Sequence, residues 1–219
     1  MATNKDRWID EFDALSIFPT FVWKFQWTSD FYERINTRIR RSLDGMNPRL
    51  TELAPGEAWQ SDQQLHKLEE YGEFVSCVLS SARTILKFVK VDYEAVEVTG
   101  CWANVSAKGA SHAIHTHPNN FLSGVYYVQT WPGADTVNCH DPRSQTSVLR
   151  PPVTELAGQN TDQVVVKVRN GTLLMFPSYL PHSVSPSESD ELRISVSFNV
   201  MFSLFTENLS GPMWGAQEI

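Results

Sequence analysis

After Asp92 the chain changes character: short apolar, β-branched runs separated by Gly, Pro, Asn and Asp replace longer helical patterns. The runs are Val96 to Val105, Phe121 to Thr130, Val164 to Val168, Leu173 to Phe176 and Leu192 to Phe202. Strands this short, punctuated this often, point to an antiparallel sandwich or barrel rather than to βαβ units. One longer interval, Arg143 to Asp162, holds Pro151, Pro152 and Gly158 and reads as a loop. Loops of that length inside a compact domain tend to be functional lids or disordered.

The first part of the chain reads differently. From Asp30 to Leu43 the apolar residues Tyr32, Ile35, Ile39 and Leu43 recur at helical spacing. Asp30 and Glu33 resemble a capping box, and Gly45 is a suitable stop ahead of Pro48. A second helix is expected from about Asp62 to Val89, with Leu68, Tyr71, Val75, Val78, Ala82, Ile85 and Val89 forming one stripe. His66 falls among polar neighbours and is expected on that helix's exposed face. The basic run Arg38, Arg40 and Arg41 reads as a solvated helix face. The expected architecture is a single α+β, mostly β domain over 1–219. Helices occupy about 1–92 and pack on a jelly-roll-like core of about 93–205, followed by a tail, 206–219.

Charge and cysteine usage narrow the function classes. A formal net charge of -7 gives no electrostatic reason to expect nucleic acid or a lipid surface as partner. Cys77, Cys101 and Cys139 lie far apart and form no C-x-x-C pair, against both a disulfide framework and a cysteine zinc site. The first residues hold no apolar signal core, and no stretch is long enough to span a bilayer, so a cytoplasmic setting is expected.

His115-Thr116-His117 is the densest chemical cue. On a strand, residues two apart project to the same face, so both imidazoles can reach one point inside a barrel. His182, behind Pro177 and Pro181, is the third candidate; three such nitrogens suit a divalent first-row metal and leave positions open. The alternative is that they are hydrogen-bonded core histidines. His112 stands at an odd offset from His115 and on a regular strand points away; Asn119 becomes a candidate only if the strand bends at Pro118. Arg193 and Ser195 share a strand face. A guanidinium inside an apolar barrel is costly unless it meets an anion, which arginine grips bidentately. The alternative places Arg193 outside, paired with Glu188 or Glu191.

This order of elements, H-x-H, then His182, then Arg193-x-Ser195, resembles the 2-oxoglutarate- and Fe(II)-dependent oxygenases. The likeness covers roughly Val96 to Phe202. It is closest to a bacterial and phage branch, similar to prolyl hydroxylases, with the pattern H-x-H-P, S-G-V-Y-Y-V, D-P-R, F-P-S and R-x-S-x-S-F-N. The resemblance implies a double-stranded β-helix core. It implies Fe(II) on His115, His117 and His182, with the distal carboxylate of 2-oxoglutarate held by Arg193 and Ser195. Tyr127 would bond the same carboxylate, and Asn104 would lie near the metal-bound end of the cosubstrate. The expected reaction is hydroxylation of a small-molecule or peptide substrate by dioxygen, with decarboxylation of 2-oxoglutarate to succinate. His117 stands where the superfamily usually has a carboxylate, which leaves the site one negative charge short.

A second resemblance is to the cupins. Gly109 with His115-x-His117, and Gly171 with Pro177 and His182, fit parts of their two motifs, although the expected glutamate is absent and Tyr179 replaces a glycine. A metal-binding cupin, either an isomerase or a dioxygenase independent of 2-oxoglutarate, is therefore the alternative enzyme. A non-catalytic barrel serving as an interaction module is the third reading. Asp141-Pro142-Arg143 is expected either at the mouth of the site or as a plain turn. An exposed edge strand would favour a homodimer.

Overall fold

The computed structural model describes residues 9–143, 148 and 151–203. Two antiparallel sheets face each other. The larger is built from β1 (Trp23–Gln26), β2 (Ala58–Gln60), β3 (Val96–Ser106), β5 (Leu122–Gln129), β8 (Thr172–Pro177) and β10 (Arg193–Phe202), in the order β1-β8-β5-β10-β3-β2. The smaller has the order β4-β9-β6-β7, from β4 (His112–His115), β6 (Thr136–His140), β7 (Gln163–Lys167) and β9 (His182–Val184). Between β3 and β6 successive strands change sheet, as do successive strands from β7 to β10, which winds the chain into the expected jelly roll.

Strand alternation divides the larger sheet into two chemically distinct faces. On β10 the residues Ile194, Val196, Phe198 and Val200 join the core beneath the helices, while Arg193, Ser195, Ser197 and Asn199 line the barrel interior. On β3, Cys101, Ala103 and Val105 take the core side, and Trp102, Asn104 and Ser106 face inward. The helices α1 (Ser29–Met46) and α2 (Gly72–Phe88) cover the apolar face. They contribute Ile35, Ile39 and Leu43 from the first, and Phe74, Val78, Ala82 and Ile85 from the second. Each large side chain buried there contributes roughly 2 kcal/mol. Asn36 is buried at the same seam, donating to Val128 O at 2.8 Å and accepting from the Tyr126 hydroxyl at 2.7 Å. These bonds fix α1 over β5.

Several local expectations change. Thr28, not Asp30, caps α1, and it makes no side-chain cap bond, so no capping box forms. Asp30 instead lies in the first turn, where its charge favours the helix dipole. Gly45 does not end the helix, which continues to Met46. The second helix begins ten residues later than expected, at Gly72 rather than Asp62. Asp62 accepts the Gln64 N–H at 2.8 Å, and Gln63 O accepts the Cys101 N–H at 3.0 Å, so this segment is tied to the edge of β3. It continues as 3-10 turns, Leu65–Lys67 and Glu69–Tyr71, which bury Leu65 and Tyr71. His66 is accordingly half-buried in a turn rather than exposed on a helix. The arginine run behaves as a solvated face, with Arg34 and Arg38 both bonded to Glu73 and Arg40 to Gln129. All three cysteines are free. The described part of the 143–162 interval has no helix or strand, and 144–147, 149–150 and the 206–219 tail lie outside the described residues. Among the described residues, no helix is long and apolar enough to cross a membrane.

Candidate metal centre

His115 closes β4 and His182 opens β9, and the two are direct partners in the antiparallel register. His117 lies beyond the end of β4, where its N–H donates to Ser178 O at 3.0 Å and the chain turns at Asn119 with φ 62. The same-face argument for the H-x-H pair therefore reaches the correct grouping by a different route, since no strand runs through His117. One ligand nitrogen from each of His115, His117 and His182 lies within 4.8 Å of the others. Nε2 of His117 and Nε2 of His182 are 3.3 Å apart.

The outer bonds of these rings decide which nitrogen is available. His115 Nδ1 is 2.8 Å from Ala113 O, and His182 Nδ1 is 3.0 Å from Leu180 O. A carbonyl can only accept, so both Nδ1 atoms carry the proton, and in the neutral rings each Nε2 presents a lone pair to the shared point. Burial, reinforced by the neighbouring imidazoles, holds His117 down to about 4. Burial likewise holds His182 down to about 4, against the opposing bond to Leu180. Rings kept neutral and aimed at one point suit a divalent first-row metal, with one face left open.

These imidazoles stand on a cavity of about 480 Å³ that is also lined by Asn104, Tyr127, Arg193 and Ser195. Arg193 is 6% exposed, and its guanidinium lies 5.3 Å from the centre of the Tyr127 ring. Among the described residues its guanidinium makes a long hydrogen bond, from an NH2 group to Thr136 O at 3.5 Å. Neither Glu188 nor Glu191 pairs with it among the described residues. Among the described residues, Nε of Arg193 and the hydroxyl of Tyr127 are both buried without a hydrogen-bond partner. Burial raises the Tyr127 pKa, the adjacent guanidinium opposing, so the phenol keeps its proton and remains a donor. Ser195 sits opposite Tyr127 on β5 and Asn104 on β3, and Asn104 donates to Ser197 at 3.1 Å. Among the described residues these donors line one cavity whose wall holds no carboxylate, an arrangement chemically suited to an anion.

Other candidates fall elsewhere. Asn119 does not line the cavity, and Asn120 does. Asp141 and Arg143 close a turn on each other at 2.6 Å and are absent from the cavity wall, so of the two expectations for this segment the plain turn holds. The wall also includes His112, which the odd offset from His115 had turned away, and Gln60, Gln63, Trp102 and Asn199, for which the sequence suggested no role. Trp102 and Asn199 were accessible to the period-two rule, because they lie on the inward faces of β3 and β10. His112 was not, because the ladder of β4 is irregular between His112 and His115.

Comparison with known proteins agrees with this geometry. Residues 100–199 match the family described as "Putative 2OG-Fe(II) oxygenase". HygX from Streptomyces hygroscopicus, solved with nickel and 2-oxoglutarate, superposes with a TM-score of 0.57 at 13% identity, covering 85% of this chain and 84% of HygX. A Pseudomonas putida prolyl-4-hydroxylase gives 0.55 at 14%, covering 84% and 93%. SnoK, a non-haem α-ketoglutarate-dependent carbocyclase of nogalamycin biosynthesis, gives 0.60 at 13%, covering 84% and 80%. At such identities the likeness establishes the shared fold. No curated protein sequence matches the chain.

Proposed function

Starting from a β core whose residues 100–199 match the family described as "Putative 2OG-Fe(II) oxygenase", we propose that His115, His117 and His182 hold the iron and that Arg193, Ser195 and Tyr127 hold 2-oxoglutarate. The chain is an oxygenase that consumes dioxygen and 2-oxoglutarate, releases succinate and carbon dioxide, and oxidises a small-molecule or peptide substrate, by hydroxylation in the reading advanced here. When bound, the iron supplies the activation of dioxygen that couples decarboxylation to oxidation of a C–H bond.

The chain's own part is positioning and exclusion of water. Carbonyls of Ala113 and Leu180 hold the His115 and His182 rings with Nε2 inward. Arg193 supplies the countercharge for a distal carboxylate, and the Tyr127 and Ser195 hydroxyls donate to its remaining lone pairs. Asn104, one rung along from Arg193 on the same face, stands where it can meet the metal-bound end of the cosubstrate. Successive inward residues of a strand are about 6.7 Å apart. The Arg193 and Ser195 rungs therefore accommodate a five-carbon diacid, and the Ser197 and Asn199 rungs, with Trp102 and Gln63, remain for the substrate.

The observation that carries this reading is the pair of buried, unpartnered donors, Arg193 Nε and the Tyr127 hydroxyl, in the same cavity as the three imidazoles. A metal cupin that needs no 2-oxo acid has no use for them. The test is succinate formation by purified protein given Fe(II), ascorbate and 2-oxoglutarate without substrate. Slow turnover that disappears in Arg193→Ala is expected. Iron binding without any response to 2-oxoglutarate would remove the proposal.

A further inference from the structure

His112 stands three residues before His115, and on a regular strand an odd offset sends it to the opposite face. The ladder is not regular there. His112 pairs with Val184 and His115 with His182, so three steps along β4 match two along β9. The extra residue is a β-bulge, a device that re-aims side chains beside functional sites. It turns His112 into the same cavity as the three metal-directed imidazoles. Its partner Val184 shares with Arg193 the lining both of this cavity and of a smaller neighbouring recess, so the His112 rung is at the Arg193 end of the cavity.

Two further observations locate its role. The imidazole is half-buried and makes no side-chain hydrogen bond to any described residue. Burial chiefly, then the positive charge of Arg193, and only then His115, lower its pKa. The field of Arg193 is therefore felt at His112 more strongly than that of a histidine three residues away. A neutral imidazole in this position has one N–H to give and no protein acceptor to receive it. Arg193 Nε and the Tyr127 hydroxyl, on the same cavity, are buried without a hydrogen-bond partner among the described residues.

We infer that His112 is a further ligand-binding residue, donating to the distal carboxylate of 2-oxoglutarate beside Arg193 and Tyr127 and favouring dicarboxylic over monocarboxylic 2-oxo acids. A carboxylate offers about four lone-pair sites; the Arg193 fork takes two and Tyr127 one, and His112 shares the remainder with Ser195. This inference rests on the oxygenase reading above. The bulge is then part of the binding site: without it, the residue at this position would face away from the cavity.

The test uses full-length protein loaded with Ni(II), which is redox-inert here, and measures affinity by calorimetry. Nickel stoichiometry is measured first, and it is expected to be unchanged in His112→Phe and His112→Gln. Loss of nickel would make His112 a metal ligand and overturn the inference. In His112→Phe the Kd for 2-oxoglutarate is expected to rise about three- to tenfold, the loss of one hydrogen bond. The Kd for 2-oxopentanoate, which lacks the distal carboxylate, should stay within about twofold by the same reasoning. His112→Gln, which restores a donor, should recover most of the loss. An unchanged Kd for 2-oxoglutarate in His112→Phe, or an equal loss for both acids, overturns the inference. Where 2-oxopentanoate binds too weakly to measure, the glutamine variant decides: recovery supports the role, and a loss equal to that of phenylalanine ends it. If nickel-loaded wild-type protein does not bind 2-oxoglutarate at all, the oxygenase reading itself fails, an outcome distinct from the others.

Discussion

Replacing Arg193 with methionine should make the metal- and cosubstrate-free protein more stable while destroying its affinity for 2-oxoglutarate. Without ligand, this guanidinium is 6% exposed, with one long hydrogen bond and an unpartnered Nε. Burying an uncompensated charge costs several kcal/mol. The face of Tyr127, 5.3 Å away, returns about 2 kcal/mol, and water in the cavity returns more. The net gain on substitution by a side chain of similar length is then about 1–2 kcal/mol. For a protein of this size that raises Tm by roughly 2–8 °C. Binding moves the other way. Removing one partner of a buried charge-assisted pair costs about 2–5 kcal/mol, a loss of roughly 30-fold to several thousand-fold in affinity. Differential scanning fluorimetry, with and without Ni(II) and 2-oxoglutarate, reads both effects in one plate. Wild type should gain stability from the pair of ligands, and Arg193→Met should start higher and gain nothing from the acid. A fall in the ligand-free Tm of the variant would refute the reasoning, because it would show that Arg193 is already satisfied by the fold.

Other substitutions probe the metal ligands and the packing beneath them. His182→Ala should weaken nickel binding by at least about a hundredfold, the upper range for loss of an outer-shell partner, whereas His117→Asp, which supplies the carboxylate usual in the superfamily, should keep it; equilibrium dialysis distinguishes these outcomes. Gly124→Ala should lower Tm by roughly 6–12 °C, about 3 kcal/mol, and a drop under about 2 °C would contradict the packing. An added Cβ there meets the Phe198 ring and the backbone Leu174 O, the latter at 2.6 Å, and the carbonyl cannot yield. The metal-free protein should lose stability in acid through His117 and His182. Both are held down to about 4 in the fold and return to the ordinary value near 6.5 on unfolding. Between those values the unfolded chain binds more protons, so stability is complete above about pH 6.5 and declines as the pH falls towards 4. Melting curves that are flat from pH 7 to 4.5, in a double variant lacking both rings as much as in wild type, would exclude this source.

The large sheet was legible because its strands are long and carry two different faces. In Arg193-Ile194-Ser195-Val196-Ser197-Phe198-Asn199 the alternation of polar with apolar residues states directly that one side packs and the other lines a cavity. The smaller sheet was largely invisible. Its strands β4, β6 and β9 have four, five and three residues, too few for a period to register, and they are held by pairing partners distant in sequence. β1 and β2 escaped for a related reason. Each lies in the helical half and becomes a strand only because an edge of the large sheet is available to it. The late start of α2 is the same effect in reverse, since a segment with helical periodicity bonded instead to β3.

At the site, residue types were more legible than directions. The three histidines were identified by their spacing and the arginine by the cost of burying its charge, arguments that need no coordinates, while Tyr127 came from the family resemblance. The direction of a side chain depends on the register of its strand, and register is a property of two strands together. Pairing His112 with Val184 while His115 pairs with His182 is possible only because β9 supplies one residue fewer over the same interval. Nothing within Ser111 to His117 announces this, for the segment has no glycine and its proline comes afterwards. The parity rule that dismissed His112 is thus valid within a strand and void across a bulge. Bulges gather where strands end against an active site. A histidine at an odd offset from a metal-directed one, near such an end, must therefore be weighed for both faces, and here the face that the rule excluded is the one on the cavity.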